Sequence, residues 1–146
     1  MSAIELPAGH RLYRATRDRD LALSPMGESG PGLYTTDDPA TAQKYLRAKQ
    51  SISRDNPNGP PAALVHLTTT QPLRMVDRST DEGEALHREL QRDPTTMKIL
   101  QGEEGIARYR EAGFHGVVYP GVGKDSREVV VHDLSHLAVE QFEEHL

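Results

Sequence analysis

The sequence predicts an α+β fold, a mixed β-sheet core with flanking helices. Three observations carry that prediction. Two β-like runs precede the first helix, so strands and helices do not alternate as a doubly wound parallel sheet requires. Two charged helix-like stretches then follow each other in mid-chain, and strand-like runs return near the C-terminus. The 146 residues fit one domain, 1–146, since domains cluster at about 100–150 residues.

Taken in order, His10–Thr16 alternates with period two. Leu12, Arg14 and Thr16 face one way and Arg11, Tyr13 and Ala15 the other, the pattern of a strand. The charged run Arg17–Asp20 leads into turn formers, among them Pro25, Gly27, Gly30, Pro31 and Gly32. Leu33–Thr36 has high β-propensity. Asp38 can cap a helix whose first position suits Pro39, with Ala42, Tyr45 and Leu46 at helical spacing through Ala40–Lys49. Ser51–Pro61, dense in Asn, Pro and Gly, reads as a loop. Ala62–Thr68 is a strong strand candidate and Pro72–Val76 a weaker one. Thr80–Arg92 is a charged helix with a narrow stripe of Ala85, Leu86 and Leu90, and Met97–Leu100 is ambiguous. Glu103–Ala112 is a helix stopped by Gly113. Phe114–Tyr119 reads as a buried strand, Pro120–Ser126 as a loop, and Arg127–His132 as the most β-branched run. Leu137–Phe142 is a final strand or short helix.

Composition excludes several functions. With no Cys there is neither a disulfide scaffold nor a Cys-based zinc module. No apolar run approaches the roughly 20 residues of a membrane helix, and the N-terminus lacks a secretory pattern. The expectation is a protein of the cytoplasm, or one delivered into a target cell's cytoplasm without a cleaved signal. The 17 Lys and Arg against 22 Asp and Glu give a net charge of -5, which offers no general attraction to nucleic acid. His132 and His136 lie on a turn-like segment with no third ligand, so no metal is expected. Neither a nucleophile elbow nor a P-loop is present.

Three segments place polar residues where strands want to be buried. Arg14 interrupts an apolar strand. Buried, its fork needs an anion such as phosphate or carboxylate; at a sheet edge it can instead reach water or a nearby Asp. Gly30–Thr36 combines glycines that permit close backbone approach with the hydroxyls of Tyr34, Thr35 and Thr36, which can orient a polar substrate. It also reads as an ordinary loop entering a strand. Glu128 opens the strand Arg127–His132, where a carboxylate can act on a neighbouring cleft or simply face solvent.

Together and in this order, the three segments resemble the ADP-ribosyltransferase-fold superfamily. Its members share a first strand with Arg or His, a second segment with hydroxyl residues or Tyr, and a late strand with a catalytic Glu. Leu12–Thr16, Gly32–Thr36 followed by Ala40, Ala42 and Tyr45, and Glu128–Leu137 occupy these places. Ala112–Tyr119 resembles the strand that precedes the Glu strand. The resemblance implies a split β-sheet core and an enzyme that cleaves the nicotinamide–ribose bond of NAD, without a metal, and transfers ADP-ribose to an acceptor. It assigns Arg14, Thr35 and Glu128 to catalysis: Glu128 at the reacting bond, Arg14 on the phosphate or ribose, and Thr35 positioning both. It assigns Tyr13, Ala15, Gly32, Tyr34, Thr36, Tyr45 and Ser126, with Arg14 and Thr35, to NAD binding. The implied partners are NAD, a macromolecular acceptor (a protein ahead of nucleic acid), and a cognate antitoxin or immunity protein; a toxin or effector fits the domain's size.

The chain departs from these patterns in places. Ser126 stands where arginine-modifying members often carry a second Glu, and Thr35-Thr36 replaces a Ser-Thr-Ser pattern. Arg14, Tyr34 and Gly116–Pro120 also resemble the RES-type NAD-degrading toxins. Gln43 and Gly121 stand where those usually carry Glu and Ser. A non-catalytic binding or inhibitory protein on the same fold is the remaining alternative.

Overall fold

The structure, a computed structural model, describes residues 1–18, 21–55, 61–121 and 126–144. The end of the Arg17–Asp20 run, the centre of the Ser51–Pro61 loop and most of the Pro120–Ser126 loop lie outside the described residues.

Among the described residues, eight strands and three α-helices form an α+β fold. The strands are β1 (Ala3–Leu6), β2 (Arg11–Thr16), β3 (Leu33–Thr36), β4 (Ala63–Thr69), β5 (Leu73–Asp77), β6 (Gly116–Pro120), β7 (Arg127–Val131) and β8 (Leu137–Glu143). The helices are α1 (Pro39–Asp55), α2 (Asp81–Leu90) and α3 (Gly102–Glu111). The sheet order is β1-β5-β6-β7-β3-β2-β4-β8, with β5–β6 parallel and the other pairs antiparallel.

The sheet is nearly divided in two. Between β2 and β3 a single residue pair, Tyr13 with Thr36, holds the halves together, whereas β3–β7 and β2–β4 run through four and six pairs. Alternation sorts the side chains. Leu12, Leu33, Val65, Met75, Val118, Val129 and Val131 fill one core on the inner side of the sheet. On the other side, Val76, Val117 and Val130 meet Leu90 of α2 and Tyr109 of α3, while Tyr13 and Leu64 meet Ala42 and Leu46 of α1.

The Asp38 cap forms as expected: its carboxylate accepts from the Thr41 N–H at 3.2 Å. The helix then runs to Asp55, so the expected end near Lys49 and loop from Ser51 are corrected. Extending an established helix is cheap compared with nucleating one, and Gly/Pro breakers begin only at Pro57. Thr80 caps α2 by accepting from Gly83 N–H at 2.9 Å, and Gly113 stops α3 at φ 88°. Leu137–Glu143 resolves as an edge strand on β4. The four-residue β1 went unread because so short a run carries little periodicity; pairing with β5 stabilises it.

Behind α2 and α3, His87 bonds the Tyr109 hydroxyl, and the Tyr109 ring stands edge-on to His132 at 4.8 Å. Burial, first of all, presses both histidines from 6.5 down to about 4, and neighbouring cations and imidazoles add to it. Between about pH 6.5 and 4 the unfolded chain therefore binds more protons than the folded one, so stability falls as pH drops through that window. Melting temperature measured against pH is expected to fall there, and to fall less steeply in His132→Phe.

Candidate functional site

The division of the sheet creates the cleft. Past Tyr13–Thr36, β2 and β3 diverge, and a groove of about 230 Å³ opens over the gap. Arg14, Tyr34 and Glu128 line it from three strands, and Tyr45, Lys49 and Ile52 from α1.

Diverging strands leave backbone groups without ladder partners, and Arg14 answers one of them: its Nη1 donates to the Tyr34 carbonyl at 2.9 Å. Alternation puts Arg14 on the Leu12 side of β2. The missing ladder is what lets its guanidinium reach the cleft. Among the described residues no carboxylate forms an ion pair with it. Burial lowers its pKa, which Asp18 partly offsets.

Glu128 stands on β7 opposite Thr36 on one side and Tyr119 on the other. The Tyr45 hydroxyl donates to its Oε1, tying α1 across the cleft to the sheet. Burial raises the Glu128 pKa and the Tyr45 hydrogen bond opposes it, while Glu28 and Asp37 add to the rise. The Tyr45 hydroxyl is pushed up to about 12, by burial and then by Glu128, so it stays protonated and remains a donor near neutral pH.

An ionic clamp fixes the base of the cleft. Asp37, just after β3, accepts from Arg127 Nε at 2.8 Å and His10 Nε2 at 3.0 Å, with Arg127 Nη2 at 2.7 Å. Burial alone would raise the Asp37 pKa, but the bonds from Arg127 and His10 hold it below the usual carboxylate range. Since Arg127 precedes Glu128, the clamp sets where β7 enters the cleft.

The structure brings Tyr13, Arg14, Ala15, Tyr34, Thr35, Thr36, Tyr45 and Glu128 to this one groove. Gly32 and Ser126 fall outside its lining. Gly32, at φ 143°, lies where a side chain would meet Val131 O and His132, and Ser126 is buried beside Gly121. The three hydroxyls expected to face a substrate are used within the protein. Tyr34 donates to Gly30 O at 2.6 Å and accepts from Ser29 N–H at 2.8 Å. Thr35 donates to Val129 O at 2.8 Å and Thr36 to Arg127 O at 2.9 Å. The Thr35 hydroxyl thus reaches Glu128 only through the β7 backbone. What Tyr34 offers the cleft is its ring, edge-on to Tyr119 at 6.5 Å.

Ala48, Lys49 and Ile52 complete the lining without a signal in the sequence: Ala48 and Lys49 fall inside the helix expected there with nothing to mark them, and Ile52 falls beyond its expected end. Ile52 lies two turns beyond Tyr45, a spacing that places both on one helix face. Among the described residues no group of three or more His, Asp or Glu side chains is arranged to hold a metal ion.

The fold is thus an α+β sheet divided over a cleft that gathers Arg14 and Lys49, the carboxylate of Glu128 and three tyrosines, Tyr13, Tyr34 and Tyr45. The fold is similar to a chain in the crystal structure of the M. tuberculosis MbcT–MbcA toxin–antitoxin complex. The TM-score is 0.54 at 16% identity, covering 97% of this chain and 86% of that one. The sequence matches no protein-family model and no curated protein.

Proposed function

We propose that the cleft binds NAD and that this chain is an ADP-ribosyltransferase, cleaving the nicotinamide–ribose bond and passing ADP-ribose to a macromolecular acceptor. The observation that carries the reading is the convergence of Arg14, Tyr34, Tyr45 and Glu128 on one groove at the divided sheet. The residues fit such a substrate. The Arg14 guanidinium takes the diphosphate or ribose side, and the rings of Tyr34 and Tyr45 wall a flat nicotinamide. As the bond breaks, its electron pair leaves with nicotinamide and positive charge develops on the ribose, an oxocarbenium-like state. Glu128, held in place by Tyr45, stabilises that charge without having to reorganise. Holding the diphosphate through Arg14 turns binding energy into orientation.

The test is nicotinamide release from NAD together with mass spectrometry of cellular protein and nucleic acid after incubation. Release with a mass gain on an acceptor supports transfer. No release with any acceptor supports a non-catalytic binding protein. The likeness to a chain of a toxin–antitoxin complex favours a second reading, an NAD-degrading toxin of the RES type neutralised by a cognate antitoxin. Rapid NAD consumption with no acceptor present would select it.

Tyr45→Phe separates the groups. Without the hydroxyl Glu128 loses the bond that lowers its pKa. The acid limb of the rate against pH is expected to move to higher pH, with roughly a tenfold loss of rate. An unmoved limb would detach Tyr45 from the reaction.

A further inference from the structure

Tyr34 lines the cleft, and a loop holds the outer end of its ring. The loop is residues 24–32, closed by two backbone hydrogen bonds of 2.9 Å between Ser24 and Gly32. Its tip folds over the Tyr34 hydroxyl, which accepts from Ser29 N–H at 2.8 Å and donates to Gly30 O at 2.6 Å. Gly27 packs so tightly on the ring that a Cβ there would run into the hydroxyl and the ring atoms beside it. Ser29 is fully buried, although Pro25 to Glu28 before it are exposed. With its one proton given and a lone pair filled, the hydroxyl follows wherever the loop goes.

Arg78, which follows β5 and does not line the cleft, grips that tip. Its Nη1 donates to Ser29 Oγ at 2.5 Å and reaches Glu28 O at 3.4 Å. Its other nitrogens are committed to Glu84 of α2, Nε to Oε2 at 2.8 Å and Nη2 to Oε1 at 3.3 Å. This bidentate pair orients the guanidinium plane. The Arg78 backbone N–H donates to Val118 O at 2.9 Å, which ties the residue to β6. The guanidinium also lies over the Tyr119 ring, 5.6 Å from its centroid, and Tyr119 is the ring that stands edge-on to Tyr34. One side chain therefore touches both neighbours of the Tyr34 ring, the loop at its hydroxyl end and the aromatic at its edge. An ion pair kept only for surface charge has no need of these further contacts.

We infer that Arg78 is a positioning residue for the cleft: through Ser29 and Tyr119 it fixes the Tyr34 ring against which nicotinamide lies, a role that rests on the function proposed above. A wall that meets the ground state and the transition state alike strengthens binding without speeding the bond cleavage. Arg78 thus acts on the affinity for NAD, while Glu128 acts on the reacting bond. Lysine cannot take its place, because a point-charge ammonium has no planar fork to span Glu84 and Ser29 together.

The experiment labels the tyrosine rings with ¹³C, identifies the Tyr34 signals by their loss in Tyr34→Phe, and records them beside the kinetics of nicotinamide release. Arg88→Ala is the control, since Arg88 pairs with the same Glu84 at 3.2 Å but with its side chain 72% exposed. In Arg78→Ala the Tyr34 signals are expected to shift or broaden while those of Tyr45 stay. KM for NAD should rise about tenfold with kcat held within about threefold. Arg78→Lys should follow Arg78→Ala, and Arg88→Ala should follow the unaltered protein. If Arg78→Ala fails to fold, Ser29→Ala serves instead, because it removes only the hydroxyl that Arg78 grips. Unmoved Tyr34 signals in the folded variants would overturn the positioning role, as would a loss confined to kcat or an equal shift in Arg88→Ala. A protein that neither binds nor cleaves NAD would overturn the proposed function instead, and the Tyr34 signals would still decide whether Arg78 fixes the ring.

Discussion

Glu128→Gln is expected to slow nicotinamide release from NAD by about 100- to 1,000-fold, the size seen when one preorganised electrostatic group is lost. Stability should move the other way. Burial, with Glu28 and Asp37, raises the folded-state pKa of Glu128 above its ordinary 4.5, so the folded chain disfavours the ionised form. A group raised in this way costs stability above its unfolded pKa, and a neutral amide removes that cost. Gln keeps the length of the side chain and an oxygen for the Tyr45 hydroxyl. The melting temperature should therefore hold or rise slightly while activity collapses. This pairing distinguishes a group kept for chemistry from one kept for packing, because a packing residue loses both together. Calorimetry and a nicotinamide-release assay on the same preparation decide it. Unchanged release with the variant folded would remove Glu128 from the proposed reaction.

Gly116→Ala is expected to be strongly destabilising. Gly116 opens β6, pairing with Met75 in parallel and with Val131 antiparallel. A Cβ there would press into the backbone carbonyl of Val130 and lie 2.6 Å from Met75 Cε. The carbonyl cannot move without breaking the β6–β7 ladder that carries Glu128, and Met75 is fully buried. Overpacking costs about 1–3 kcal/mol and more where backbone must shift; about 3 kcal/mol lowers the melting temperature by roughly 6–12 °C at this chain length. Gly9→Ala is the control. It needs a positive φ of 79° but meets nothing within 4 Å, so its cost is the backbone term of about 1 kcal/mol. Equal losses in the two variants would show that β6 relaxes around the added methyl.

Much of the candidate site was legible because its residues violate local pattern. Arg14 within an apolar strand and Glu128 opening a valine run each demand an explanation from sequence alone. Tyr45 was legible through its helical spacing from Ala42. The Asp37–Arg127–His10 clamp was not, since three polar residues at loop and strand ends look like solvated surface until the fold places them together. The hydroxyls of Tyr34, Thr35 and Thr36 were visible, but their use was not. A hydroxyl takes whatever acceptor is nearest, and the acceptors are carbonyls of loop 27–30 and of β7. The burial of His132 was equally hidden, for the Tyr109 ring of α3 that stands edge-on to it comes from a distant part of the chain.

Local chemistry, then, settled the α+β class, the Asp38 and Thr80 helix starts, the Gly113 stop and the strand alternation, because periodicity, capping and positive φ act over a few neighbouring residues. Tertiary structure alone decided the strand order, the near-division of the sheet at Tyr13–Thr36 and the meeting of Arg14 with Glu128 across it. Pairing between strands separated by tens of residues, up to Leu33 with Val131, depends on which faces bury together, and that is a property of the whole packed chain rather than of any window within it.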